Sequence, residues 1–234
     1  METGLVLALV GGALVVAAAA GSSSLSSGGG GSGGGLSPAP GPPAGPDVQA
    51  PGAGQPPEPI IVGQATNPEV GALLAELDQY LRNAGISTDL IDAQELTRLP
   101  KWSRQGIPPR SLWPNIVPTA RLYQELRARM RQPLSVRAYR PPEYNELVNG
   151  AERSQHQWFS AMDVRVPSSV ATSDLRRELA LQGARLYLEL GEPFQIGLGV
   201  YGANTPSNIH IDAGYQRRTW RDAKAWIDRV KATA

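Results

Sequence analysis

The sequence contains two histidines, His156 and His210, and each sits close to an aspartate. His156 and Asp163 are seven positions apart in SQHQWFSAMD, so a loop running into a strand can turn both side chains to one point. His210 and Asp212 stand at i and i+2 in IHIDAG, which on a strand places them on the same face. There is no cysteine, so a metal in this chain must be held by imidazole and carboxylate alone, without thiolates or disulfide staples. Two imidazoles and one carboxylate bind zinc while leaving a fourth position for water, the arrangement of a catalytic rather than a structural site. The plainer alternatives stay open on spacing alone: a satisfied or exposed polar histidine in each case, and a helix cap or surface carboxylate for Asp163.

Two separated segments carry a resemblance. SVRAYRPPEYNELVNGAERSQHQWFSAMDVRVP resembles the first metal-binding segment of the zinc D-Ala-D-Ala carboxypeptidases and murein endopeptidases, with its S-x-H-x-x-G-x-A-x-D pattern. GLGVYGANTPSNIHIDAG is similar to the second, G-x-G-x-Y followed by a strand bearing H-I/V-D. Together they run over residues 134–214. The resemblance implies His156, Asp163 and His210 as ligands of one zinc ion. It also implies Arg140 as the arginine that steadies substrate or polarises its carbonyl, and Ser154 as a substrate-binding serine.

Two departures from the pattern stand out. The family glycine is Ser160 here, which is expected to alter the turn, since serine resists conformations that glycine takes freely. Many relatives place Glu or Asp three residues before the last histidine, where this chain has Ser207. Asp212 is then the nearest carboxylate for the role of catalytic base, with support of His210 as its alternative role.

The elements that must position these residues read as α+β. The resemblance implies a small antiparallel sheet flanked by helices, of the hedgehog/D-Ala-D-Ala-peptidase kind, and composition adds a disordered N-terminal extension before it. Asn67-Pro68-Glu69 opens a helix with Val70, Leu73, Leu74, Leu77 and Leu81 on one apolar stripe, ended by Gly85. A second helix is expected over 115–131, its arginines forming a solvated face, and Pro141-Pro142-Glu143 opens a short third. Strands are expected over 134–139 and 161–166. A helix capped by Ser173 or Asp174 stops at Gly191, a hairpin pairs 196–201 with 208–213, and a last helix begins at Thr219. Trp158 and Phe159 could line a substrate groove, with ordinary packing as the alternative.

Composition sets the frame. Residues 1–58 contain no Lys or Arg and are rich in Gly, Pro, Ala and Ser, so they cannot bury a core. Removing their acids, Glu2, Asp47 and Glu58, leaves 18 acidic against 22 basic residues, near +4 for residues 59–234. That balance is far from a polyanion-binding stripe, and no glycine-rich phosphate loop opens a helix, so nucleic acid is excluded as a partner. Residues 1–21 read as an apolar membrane anchor or signal segment, and 22–58 as a linker, Gly/Ser-rich and then Pro-rich. Residues 59–234 form the expected peptidase domain.

The resemblance implies hydrolysis of peptidoglycan stem peptides or cross-links by metal-activated water, as a D,D-carboxypeptidase or murein endopeptidase. The expected setting is exported, periplasmic or cell-envelope, with membrane contact through the N-terminal segment if it stays uncleaved. Two other readings are a catalytically impaired, metal-binding protein that binds the cell wall or serves a structural role, and a phage or secreted lysin with the same chemistry, virion-associated if it belongs to a phage.

Overall fold

In a computed structural model, strands β1 (Leu5–Val10) and β2 (Ala13–Ala18) and residues 55–233 are described. β1 and β2 pair antiparallel with each other. They fall in the segment expected to be an anchor or signal, and no described helix is long and apolar enough to cross a membrane. The linker expected over 22–58 lies outside the described residues except for its last four.

The folded domain is α+β, as expected. β3 (Ile61–Gly63) leads to α1 (Pro68–Asn83), whose Asn67 cap accepts a hydrogen bond from the Glu69 N–H at 2.9 Å. All five residues of its apolar stripe are buried, and the chain leaves the helix through Gly85 at φ 78°. Three short elements come next: α2 (Ala93–Thr97), β4 (Arg98–Leu99) and β5 (Arg104–Ile107). β3, β5 and β4 make a small antiparallel sheet in that order, which the sequence did not announce because strands of two to four residues carry no period.

α3 (Trp113–Met130) buries Ile116, Leu122, Tyr123, Leu126 and Met130, and Arg131 closes it in the left-handed region at φ 51°. β6 (Ser135–Arg137), α4 (Pro142–Leu147), a 3-10 turn over Gln155–Trp158 and β7 (Ala161–Arg165) complete the first half. α5 (Ser173–Phe194) is capped by Thr172, whose hydroxyl accepts from the Leu175 N–H at 3.1 Å, rather than by Ser173 or Asp174. It also runs past the expected stop at Gly191 and ends at Gln195, which takes the left-handed conformation. A Cβ at Gly191 would meet only the movable guanidinium end of Arg217, 2.9 Å from its Nε, so space does not dictate this glycine.

β8 (Gly197–Tyr201) and β9 (Asn208–Asp212) form the expected hairpin. The last helix does not start at Thr219. Arg218–Arg221 is a strand, β10, and α6 (Ala223–Ala232) follows it. Thr219 and Asp222 imitate a helix start, but Thr219 pairs with Leu198 in the sheet.

The main sheet has the order β10-β8-β9-β7-β6, antiparallel except for the parallel β10–β8 pair. Side chains alternate across it. Met162, Val164, Leu198, Val200, Ile209 and Ile211 are buried in the core, where α3, α5 and α6 pack on the sheet. Gly183 lets α5 approach closely, since a Cβ there would lie 2.9 Å from Ile209 Cδ1. Asp163, His210 and Asp212 alternate with these residues and so occupy the opposite face.

Candidate metal centre

Register brings the first acid and the second histidine together. Asp163 on β7 lies directly opposite His210 on β9, and the 3-10 turn before β7 presents His156 beside them. His156 Nε2 and His210 Nδ1 are 3.1 Å apart, and Asp163 Oδ1 is 3.3 Å from the former and 3.2 Å from the latter. Three atoms thus form a nearly equilateral triangle. Its edge matches the ~3.3 Å ligand separation of a tetrahedron with bonds of about 2.0 Å, the geometry of zinc held by nitrogen and oxygen. Among the described residues these three are the group of His and acid side chains able to share an ion.

Each side chain of the triangle is fixed from behind. His156 is buried, and its Nδ1 lies 2.6 Å from the Ala138 carbonyl, which leaves Nε2 with the lone pair facing the triangle. His210 is turned the other way: Nδ1 faces the triangle and Nε2 lies 3.2 Å from Asp212 Oδ2. Asp163 Oδ2 accepts a hydrogen bond from Arg140 Nη2, which aims Oδ1 at the histidines. The backbone N–H of Arg140 also donates to the His156 carbonyl at 3.1 Å.

The charges follow from this packing. Burial drives the His156 pKa down to about 4, against the pull of Asp163. Burial opposes a charge on His210 as well, but hydrogen bonds and charge from Asp163 and Asp212 outweigh it and raise its pKa. Burial would favour a neutral Asp163; the imidazoles of His156 and His210 overcome it and hold the carboxyl well below its ordinary range.

Ser154 caps the 3-10 turn, its Oγ accepting from the His156 N–H at 3.4 Å, and it also lines the cavity over the centre. The left-handed residue of this turn is Phe159 at φ 52°, and counting along S-x-H-x-x-G-x-A-x-D from Ser154 places the pattern's glycine at Phe159 rather than at the expected Ser160. Ser160 therefore meets no backbone penalty, and its hydroxyl donates to Gln155 Oε1 at 2.7 Å. Trp158 and Phe159 are buried packing residues rather than a groove lining; Phe159 meets Tyr139 edge-on at 5.9 Å between centroids.

Several supporting residues escaped sequence reasoning. Thr119 on α3 donates to the Ser160 carbonyl at 2.7 Å and accepts from the Ala213 N–H at 3.1 Å, tying the ends of both histidine segments to one helix. Asn115, one turn earlier, donates to the Trp158 carbonyl at 3.0 Å. Their signal was present as two polar positions, i and i+4, on the apolar face of α3. Arg218 and Trp220 on β10 also line the cavity, and the mistaken helix start concealed them.

The cavity measures about 440 Å³. Four guanidinium groups line it, those of Arg140, Arg153, Arg218 and Arg221, and Asp163 is its single lining carboxylate among the described residues. Asp212 is 1 % exposed and lies behind the His210 ring. Ser207 is exposed, and its hydroxyl donates to the Tyr201 carbonyl at 3.3 Å and to Asn208 Oδ1 at 2.9 Å.

A buried His-Asp-His triangle at the floor of an open polar cavity is the donor set of a catalytic zinc site, two imidazoles and a carboxylate with a position left for water. Residues 90–191 match the family model described as Peptidase M15, which supports the M15 zinc D-Ala-D-Ala carboxypeptidase-like family for this chain. That family is zinc-dependent, and the match supports a zinc peptidase of the cell-wall kind in general. The matched segment includes His156 and Asp163 and ends before His210. No curated protein and no solved structure matches the chain.

Proposed function

We propose that the domain hydrolyses peptidoglycan stem peptides or cross-links, using one zinc ion held by His156 Nε2, Asp163 Oδ1 and His210 Nδ1. The observation that carries this reading is the ligand triangle of 3.1–3.3 Å at the floor of the cavity. Zinc bound there supplies a Lewis acid that activates water and polarises a peptide carbonyl.

The protein's own groups divide the remaining work. Arg140 fixes the direction of the Asp163 carboxylate and presents its guanidinium to the cavity, where it can stabilise charge developing on substrate. Ser154 holds the His156 turn and offers a hydroxyl at the cavity wall. Asp212 stands on the side of His210 away from the triangle, so it orients the ring rather than taking a proton from the reacting water. Arg153 and Arg221 line the cavity with no carboxylate partner among the described residues and suit a peptide that carries carboxylates of its own. In this reading the apolar N-terminal segment directs export or anchors the chain to a membrane, and the Gly/Pro-rich linker tethers the domain within reach of the wall.

A second reading rests on a specific observation. With Asp212 behind the ring and Ser207 turned to the surface, no carboxylate other than the ligand Asp163 lines the cavity among the described residues. A wall protein that binds muropeptides without cutting them would have this composition.

The test is muropeptide mass spectrometry on zinc-loaded protein beside His156→Ala, with metal content and muropeptide binding measured on the same samples. Zinc-dependent release of shorter muropeptides by the wild type alone is the expected result. Zinc-loaded protein that retains muropeptides uncut would transfer the case to the second reading.

A further inference from the structure

Three pairs of residues at spacing two lie on adjacent strands and in register. β9 carries His210 and Asp212, β8 carries Gly199 and Gly197, and β10 carries Trp220 and Arg218. Gly199 is opposite both His210 and Trp220, and Gly197 is opposite both Asp212 and Arg218. With no side chain on the strand between, Arg218 and Trp220 reach across β8 to β9. Arg218 Nη2 lies 3.1 Å from Asp212 Oδ2, the oxygen that also faces His210 Nε2 at 3.2 Å. The Trp220 ring meets the His210 ring in an edge arrangement, with centroids 4.8 Å apart. Arg218 in turn lies over the Trp220 ring, 5.4 Å from its centroid.

The glycines are required by space. A Cβ on Gly197 would collide with the Asp212 carboxylate, and one on Gly199 would lie 2.5 Å from the Trp220 ring. Asp212 Oδ1 is buried without a partner, so both polar contacts of this carboxylate pass through one oxygen. A buried carboxylate needs a paired charge, and Arg218 provides it.

We propose that Arg218 and Trp220 are positioning residues of the metal centre, bracing His210 across the glycine gap so that Nδ1 is the nitrogen turned to the ion. The inference rests on the zinc-binding reading given above. It adds that β10, which contains no ligand, sets the orientation of the second histidine. Arg218 acts through Asp212, and Trp220 acts directly on the ring.

The test is titration of full-length metal-free protein with Co2+ and Zn2+, recording the Co2+ visible spectrum and zinc affinity by chelator competition. Arg218→Ala is expected to lower zinc affinity by about 10- to 100-fold, the usual effect of removing support behind a ligand, and to shift the Co2+ bands. Arg218→Lys should restore part of the loss, and Trp220→Phe should shift the bands with a smaller change in affinity.

Because Arg218 acts through Asp212, Arg218→Ala made in an Asp212→Asn background should cost little further affinity. If Arg218→Ala fails to fold, Gly197→Ala separates the two side chains while keeping both and should reproduce the loss. Wild-type protein that takes up no metal would overturn the zinc-binding reading and the brace together. Wild-type binding with unchanged affinity and spectrum in the variants would overturn the brace alone, as would an undiminished Arg218→Ala effect in the Asp212→Asn background.

Discussion

The two histidine arms reach the same point by different means. His156 comes from a 3-10 turn and is fixed by a main-chain acceptor, the Ala138 carbonyl, so the support behind it survives any substitution that keeps the backbone in place. His210 comes from the middle of a sheet and is fixed by side chains, Asp212 and the residues that hold Asp212. The burial of both rings is nearly complete, yet their proton affinities move in opposite directions, because Asp163 and Asp212 flank His210 on both nitrogens while His156 has one carboxylate and a carbonyl. The orientation of a ligand can thus be written into the backbone, where mutation scarcely reaches it, or into charged side chains, where it can be tuned.

The largest expected effect treats the arms alike. His156→Ala and His210→Ala should each abolish stoichiometric zinc retention and activity, as measured by metal content after dialysis; retention by either variant would remove that histidine from the ligand set. The next separates them. Asp212→Asn should weaken zinc binding by roughly 10- to 100-fold, whereas Ala138→Gly, which keeps the carbonyl, should leave affinity near that of the wild type. Equal losses in the chelator competition would erase the contrast between the arms.

Acidity offers a third contrast in the metal-free protein. His156 titrates near 4 in the fold against 6.5 unfolded, so its contribution to stability is full above pH 6.5 and is lost as pH falls toward 4. His210 has a raised pKa in the fold, so its contribution is full below 6.5 and is lost as pH rises through the folded value. Zinc must displace the proton that His210 retains, so affinity should fall by about tenfold per pH unit below that value, with about one proton released on binding. Calorimetry in buffers of different ionisation enthalpy measures the release, and an absence of release at mildly acidic pH would contradict the assignment to His210.

The smallest effect falls on both arms at once. Thr119→Val removes one hydroxyl that serves both segments and should cost about 1–3 kcal/mol in thermal or denaturant unfolding, through the buried groups left unpaired.

The grouping of His156, Asp163 and His210 was legible chiefly through the resemblance of two segments, with local spacing consistent with it. The i, i+2 relation of His210 and Asp212 puts both on one strand face whatever the register, and the seven-residue interval from His156 to Asp163 spans one turn and the start of β7. The stripe of α1 and the β8–β9 hairpin were legible because their information is local. β10 was not. Its partner lies about twenty residues earlier in the chain, and its four residues, Arg-Thr-Trp-Arg followed by Asp222, look locally like the approach to a helix. The cap of α5 was missed by one residue because Thr172, Ser173 and Asp174 are all good caps, and only the backbone conformation of Thr172 decides among them.

β10 forms one margin of the main sheet and hydrogen-bonds to a single neighbour, β8. Marginal strands open at lower free energy than the middle of a sheet, so local fraying there can occur while the domain stays folded. Each such excursion would carry Trp220 off His210 and Arg218 off Asp212, and leave His156, Asp163 and His210 themselves in place. The lifetime of a bound ion would then follow the breathing of a four-residue strand more closely than the melting of the core.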